Sequence, residues 1–205
     1  MNTPRRFTLA FTGASGMPYG IRLLETLLSS GNHVFLMYSQ AAQIVAQQEM
    51  KLTLSSRTKE TEEFLSQRFK ATEGQLHVFG REEWFAPVAS GSSPADSMII
   101  CPCTVGTLAA IATGLGQNLI ERAADVMLKE NHKLILVPRE TPFSAIHLQN
   151  MQKLVQCGAV ILPANPGFYH HPKNIQDIVD FVVARILDQL NVEHSLIPRW
   201  GKENL

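Results

Sequence analysis

The chain has 205 residues, 45% of them apolar and 18% charged, with 18 Lys plus Arg balancing 18 Asp plus Glu. One α/β domain over residues 1–205 fits this length, and the charge balance gives no expectation of nucleic acid or an anionic membrane as partner. No apolar run reaches membrane-spanning length, the N-terminus lacks a signal-peptide pattern, and three cysteines without C-x-x-C spacing read as reduced thiols in the cytoplasm.

Strand-like and helical runs alternate along the chain. Arg6–Phe11 reads as a strand, and 17–30 as a helix with Ile21, Leu24, Leu27 and Leu28 on one face. Gly31-Asn32 supplies its C-terminal stop. His33–Tyr38 is a second strand, and 41–50 a second helix. Residues 51–95 break the alternation: the first part is charged and helical, and Val88 to Pro94 reads as a mobile loop. Ser97–Cys103 is a buried strand followed by a helix over Val105–Ala112. A helix at Leu119–Lys129, a strand at 133–137, a helix at 143–156, a strand at 159–162 and a helix at 174–190 complete the order. Repeated βα units with apolar strands predict a mainly parallel sheet covered on both faces, a flavodoxin-like or Rossmann-like three-layer sandwich.

In such a sheet, ligands sit outside the carboxyl ends of the strands. The first of these ends is Thr12-Gly13-Ala14-Ser15-Gly16-Met17-Pro18-Tyr19-Gly20, a strand-to-helix turn whose amides can face a phosphate or carbonyl. Its glycines do not follow G-x-G-x-x-G, which argues against a standard NAD enzyme. Ser39, Thr104-Val105-Gly106-Thr107 and Arg139-Glu140 stand at three further ends. Hydroxyls and one Arg-Glu pair suit a phosphate-bearing ligand held by amides and side chains. They suit neither a metal cage nor a Ser-His-Asp triad. Ser15 by itself reads first as a local hydrogen-bonding or capping residue, N-capping explains Thr104 about as well as an anion does, and an internal salt bridge is the plain alternative for Arg139 and Glu140.

Arg122 and Lys129 share one helix face, with Asp125 between them as a partner for both. Arg185 flanks an apolar face built from Ile175, Ile178, Val182 and Ile186, where a guanidinium wants an anion. Trp84 is either a packing residue or a cation-π surface. Glu49 is unremarkable alone. His170-His171 lacks metal-ligand spacing with the other histidines.

Taken together, T-G-A-S-G-M-P-Y-G at 12–20, C-P-C-T-V-G-T-L-A at 101–109, A-D-V-M-L-K-E at 124–130, V-P-R-E-T-P at 137–142 and P-A-N-P-G-F-Y-H-H-P at 163–172 resemble the UbiX flavin prenyltransferase family. The resemblance runs nearly end to end and in order. It implies an enzyme that joins the dimethylallyl group of dimethylallyl monophosphate to N5 and C6 of reduced FMN. The product, prenylated FMN, would serve a UbiD-type decarboxylase, and no metal would be needed. By the same resemblance Gly13, Ala14, Ser15, Ser39, Thr104, Val105, Gly106, Thr107 and Arg139 bind FMN. Tyr169 and Arg185 hold the allyl phosphate, completed by Arg122, Lys129, Ser90 and Gly91. Ser15, Glu49 and Glu140 are the proton-moving candidates, Lys129 steadies the leaving phosphate, and Trp84 faces allylic cation character. The family forms homo-oligomers, typically dodecamers, with sites between subunits, which fits the thin charge of this sequence. Two alternatives remain open from the residues: a flavin-dependent decarboxylase of the phosphopantothenoylcysteine or peptidyl-cysteine type, and a non-catalytic flavin carrier.

Overall fold

The computed structural model describes residues 3–198. In chain order the elements are β1 (Arg6–Phe11), α1 (Met17–Ser29), β2 (His33–Tyr38), α2 (Gln40–Met50), α3 (Thr58–Phe69), β3 (Leu76–Phe79), β4 (Ser97–Cys103), α4 (Val105–Ala112), α5 (Leu119–Lys129), β5 (Lys133–Pro138), α6 (Ala145–Gln156), β6 (Val160–Ile161) and α7 (Ile175–Leu190). The strands form one sheet in the order β3-β2-β1-β4-β5-β6, with every pairing parallel. This is the doubly wound order of Rossmann-type sheets, and the direction of winding reverses between β1 and β4.

The two-residue period of the strands sorts their side chains into two cores. Phe7, Leu9 and Phe11 of β1, Ile99 and Cys101 of β4, and Ile135 and Val137 of β5 enter one core with α1, α3 and α7. Ala10, Met98, Ile100, Leu134 and Leu136 enter the other with α4, α5 and α6, joined by Cys103 because a register shift between Ile100 and Cys103 breaks the period at the end of β4. Both faces are covered, so central strands such as Ser97–Cys103 are buried at every position. Burial of one large apolar side chain contributes roughly 1.5–3 kcal/mol, which makes these continuous runs the main source of stability. Gly31 follows α1 with φ 77°, a conformation that lets the chain turn back into β2.

The 51–95 stretch departs most from expectation. It contains α3 and also β3, an edge strand that pairs with β2 from Val34↔Leu76 to Met37↔Phe79. The hydroxyl of Tyr38 donates to the carbonyl of Ser55 at 2.5 Å and lies 2.9 Å from Thr61 Oγ1, tying this stretch to the end of β2. The loop expected from Val88 begins later. Residues 87–89 form a single 3-10 turn, with Val88 buried in the second core because its apolar side chain packs beside α5. The apolar face of α7 also shifts. Ile175 is exposed, and Val179, Val183 and Leu187 join Val182 and Ile186 in the buried stripe.

Candidate functional site

The carboxyl ends of β1, β2 and β3 open onto a cavity of about 240 Å³ next to the winding reversal. Thr12, Ser39, Arg81, Thr107 and Asn118 line it. Thr12 is buried, donates to the Pro102 carbonyl at 2.8 Å and accepts from the Thr104 amide at 2.8 Å. It thereby locks the end of β1 to the end of β4. Thr104 caps α4, its hydroxyl accepting from the Thr107 amide at 3.0 Å and donating to Thr107 Oγ1 at 2.9 Å. The amides of Val105 and Gly106, as the first of this helix, have no intrahelical acceptor. A Cβ built on Gly106 would meet only Thr104 Oγ1, at 3.9 Å, so the space above this helix start is open to a ligand. Ser39 accepts from the Ala42 amide at 3.1 Å as the cap of α2. Capping therefore accounts for the hydroxyls of Ser39 and Thr104 within the chain, which for Thr104 is the plain alternative.

The first turn differs from the expected anion seat. Gly16, at φ 118°, begins α1 with no side-chain cap and no acidic residue in the first turn. Glu49 reaches across from α2 instead. Its Oε2 accepts from the Gly16 amide at 3.0 Å and the Met17 amide at 2.8 Å. A carboxylate is favoured at this positive helix end, and it occupies the amides that a ligand phosphate would have used. Ala14 is buried, Gly13 lies close against Ala41, and Ser15 is exposed. Arg139, also exposed, donates from Nε to the Ser15 carbonyl at 3.3 Å. The Arg139–Glu140 salt bridge considered as an alternative is not formed; Glu140 Oε1 accepts from the Thr141 amide at 3.2 Å.

A second group lies on α5. Arg122 donates from Nε to the Ala89 carbonyl at 3.0 Å and pairs with Asp125 at 2.9 Å. Lys129 pairs with Glu130, not with Asp125, because the adjacent carboxylate is within easier reach. That ammonium holds the Glu130 carboxyl below the usual carboxylate range. The backbone at Gly91 rests against the ends of Lys129 and Glu130, so Ser90, Gly91, Arg122 and Lys129 form one group in which each cation is paired with a carboxylate. Exposed ion pairs of this kind contribute little to stability, and an incoming anion displaces them at low cost.

Tyr169 and Arg185 form a third group. They line a cavity of about 540 Å³ with Asp188, His194 and neighbouring residues. This cavity and the one at the strand ends share no lining residue. Trp84 stands apart on the β3–β4 crossover, about half exposed beside the fully exposed Phe85. Among the described residues no group of three or more His, Cys, Asp or Glu is arranged to hold a metal ion.

Sequence reasoning missed Arg81, Asn118 and the capping by Glu49. Arg81 lies two positions past β3, so recognising that edge strand would have put a cation at a strand end. Asn118 accepts from the Glu121 amide at 3.1 Å as the cap of α5, a start signal readable before Leu119. For Glu49 the only local sign was a helix beginning without a cap of its own.

The flavoprotein family profile matches residues 1–187. The chain is 54% identical over 205 residues to the flavin prenyltransferase UbiX of Pseudomonas aeruginosa, covering 100% of this chain and 98% of that protein. This chain belongs to the UbiX flavin prenyltransferase family. A crystal structure of AnUbiX (PadA1) in complex with FMN and dimethylallyl pyrophosphate superposes with a TM-score of 0.86 at 38% identity, covering 97% of this chain and 98% of that one. A dodecameric FMN-dependent UbiX-like decarboxylase from Escherichia coli O157:H7 gives a TM-score of 0.83 at 38% identity, covering 96% and 98%. Within the UbiX family, then, the three groups of residues belong to an enzyme framework matched along almost its whole length.

Proposed function

We propose that this chain, acting as one unit in the cytoplasm, transfers the dimethylallyl group of dimethylallyl monophosphate to N5 and C6 of reduced FMN. The prenylated FMN is released to a UbiD-type decarboxylase. The observation that carries the reading is the open start of α4 beside a hydroxyl-lined cavity, in a chain whose structural relative binds FMN together with an allyl diphosphate. FMN fits this cradle as acceptor substrate. The Val105 and Gly106 amides, with Ser39, Thr104, Thr107 and Arg139, are the groups available to its phosphate, and Gly13, Ala14 and Ser15 form the wall beside its ring.

Reduced FMN supplies the nucleophilic ring atoms, and the protein supplies the rest. Tyr169, Arg185, Arg122 and Lys129, with the Ser90-Gly91 turn, bind the allyl phosphate and stabilise the charge that develops as its C–O bond breaks. Preorganised cations are worth most where water is excluded, and they serve here in place of a metal ion. Trp84 presents a π face to the allylic cation character at the reacting carbon. Bond formation at N5 releases a proton, and ring closure adds one proton to the allyl double bond and removes one from C6; Ser15, Glu49 and Glu140 are the groups assigned to these movements.

In one chain these residues lie in separate groups, and assembly of a homo-oligomer, a dodecamer by the same family reading, brings groups from neighbouring subunits to one site. Arg185→Ala tests the phosphate assignment. Product formation falls at least about tenfold through loss of a charge-assisted contact, while fluorescence titration shows FMN still bound. Unchanged product formation in this variant would remove Arg185 from the site.

A further inference from the structure

At the carboxyl end of α7, Arg185 joins a short chain of charge whose other members, Asp188 and His194, have no role in the family reading. Asp188 accepts from Arg185 Nη1 at 2.8 Å through Oδ2, and its Oδ1 lies 3.2 Å from His194 Nε2. The three side chains grade from surface to interior: Arg185 is 51% exposed, Asp188 35% and His194 only 4%. This arrangement is built by the backbone. Asn191 ends α7 in the left-handed conformation at φ 52°, and the Val192 amide returns to the Leu187 carbonyl at 3.0 Å. The reversal carries His194 back beside Asp188, one helical turn behind it. Arg5 donates to the Leu190 and Asn191 carbonyls and Lys133 to that of Gln189, so the reversal is fastened to the sheet.

A carboxylate can only accept, so the Asp188–His194 contact requires a proton on Nε2. His194 Nδ1 is buried with no hydrogen-bond partner among the described residues. Nε2 is thus the anchored edge of the ring, and Nδ1 is the position that would carry a second proton. Among the described residues, the titratable and charged groups lining the cavity with His194 are Asp188 and Arg185 from α7, Glu193 beside it, and Tyr169 from the loop before α7. With His194 neutral, Arg185 and Asp188 sum to zero charge. With His194 protonated the trio carries one positive charge, which offsets Glu193 in the same lining, and a dianion in the cavity favours that state.

We propose that His194 is a positioning residue for the allyl phosphate, acting through Asp188 to fix the Arg185 fork and to set the net charge that a dianion meets. One Arg185 N–H is committed to Asp188, and the rest of the fork remains for the anion. The proposal rests on the reading of Arg185 as a phosphate ligand.

The test is inhibition of the prenyl transfer by inorganic sulfate, competitive with the allyl phosphate and dianionic throughout the range. It is measured across about pH 5 to 8, where imidazoles change charge, in the wild type, His194→Ala, His194→Gln and Arg185→Ala. In the wild type, sulfate binds more tightly as pH falls. His194→Ala raises the KM for the allyl phosphate about 3- to 10-fold, the equivalent of one hydrogen bond, with kcat little changed, and flattens the pH dependence. His194→Gln still offers a donor to Asp188, so it restores KM but leaves the profile flat; it also serves if the alanine variant folds poorly. Wild-type KM and wild-type pH dependence in both His194 variants would overturn the proposal while Arg185→Ala still weakened sulfate binding. Sulfate inhibition unchanged in Arg185→Ala would instead overturn the reading of Arg185 on which the proposal rests.

Discussion

Glu49 shows how a residue with no local signature acquires a structural role. Its carboxylate takes both leading amides of α1, and with them holds the Ser15 turn and the Arg139 contact to the Ser15 carbonyl. The assigned proton-moving role and the capping role therefore share one group. Glu49→Gln removes the negative charge from a helix start and costs about 0.5–2 kcal/mol, measurable as a lower urea midpoint with unchanged slope. An unchanged midpoint would mean that the capping contact contributes nothing. Ser39, Thr104 and Arg139 were legible in the sequence because each directly follows an apolar strand. Arg81 and the reach of Glu49 were not, since one depends on an unrecognised strand and the other on how α2 packs beside α1.

Among the elements, α1 and α7 cover the same core and are joined across their surfaces by Arg22 and Asp180. Arg22 Nε lies 2.7 Å and Nη2 3.2 Å from the two Asp180 oxygens, and Nη1 lies 2.8 Å from Glu25. The Asp180 hydrogen bonds are the main reason that the Arg22 guanidinium is held even more firmly protonated than usual. With Arg22 at 27% and Asp180 at 15% exposure, this two-point pair is largely shielded. Asp180→Ala leaves the guanidinium with Glu25 alone and destabilises the fold by about 1–3 kcal/mol, seen as a lower thermal midpoint. No shift would show that Glu25 and water replace the lost partner fully. At this scale the strands were legible in proportion to their burial. β1, β2, β4 and β5 sit inside the sheet and read as continuous apolar runs. β3 lies at the edge, alternates exposed His77 with buried Leu76 and Val78, and is only four residues long, so its pattern merged with the charged stretch before it.

For the whole molecule, low charge and exposed apolar side chains point the same way. Ile146, Leu148 and Val155 on α6, Phe85 on the β3–β4 crossover and Ile175 at the start of α7 are all more than half exposed. Together with the separation of Tyr169 and Arg185 from the strand-end cavity, these surfaces support the proposal that neighbouring subunits complete the site. The order of the βα units and the parallel sheet were legible from hydrophobic period. The proposed convergence of the groups was not, because it would draw on residues of more than one chain. The central claim is tested most directly by mixing the protein with reduced FMN and dimethylallyl monophosphate under anaerobic conditions, with a chelator present, and weighing the flavin by mass spectrometry. The account predicts a flavin heavier by one five-carbon group, formed without added metal. Flavin recovered at its original mass, although bound to the protein, would contradict it.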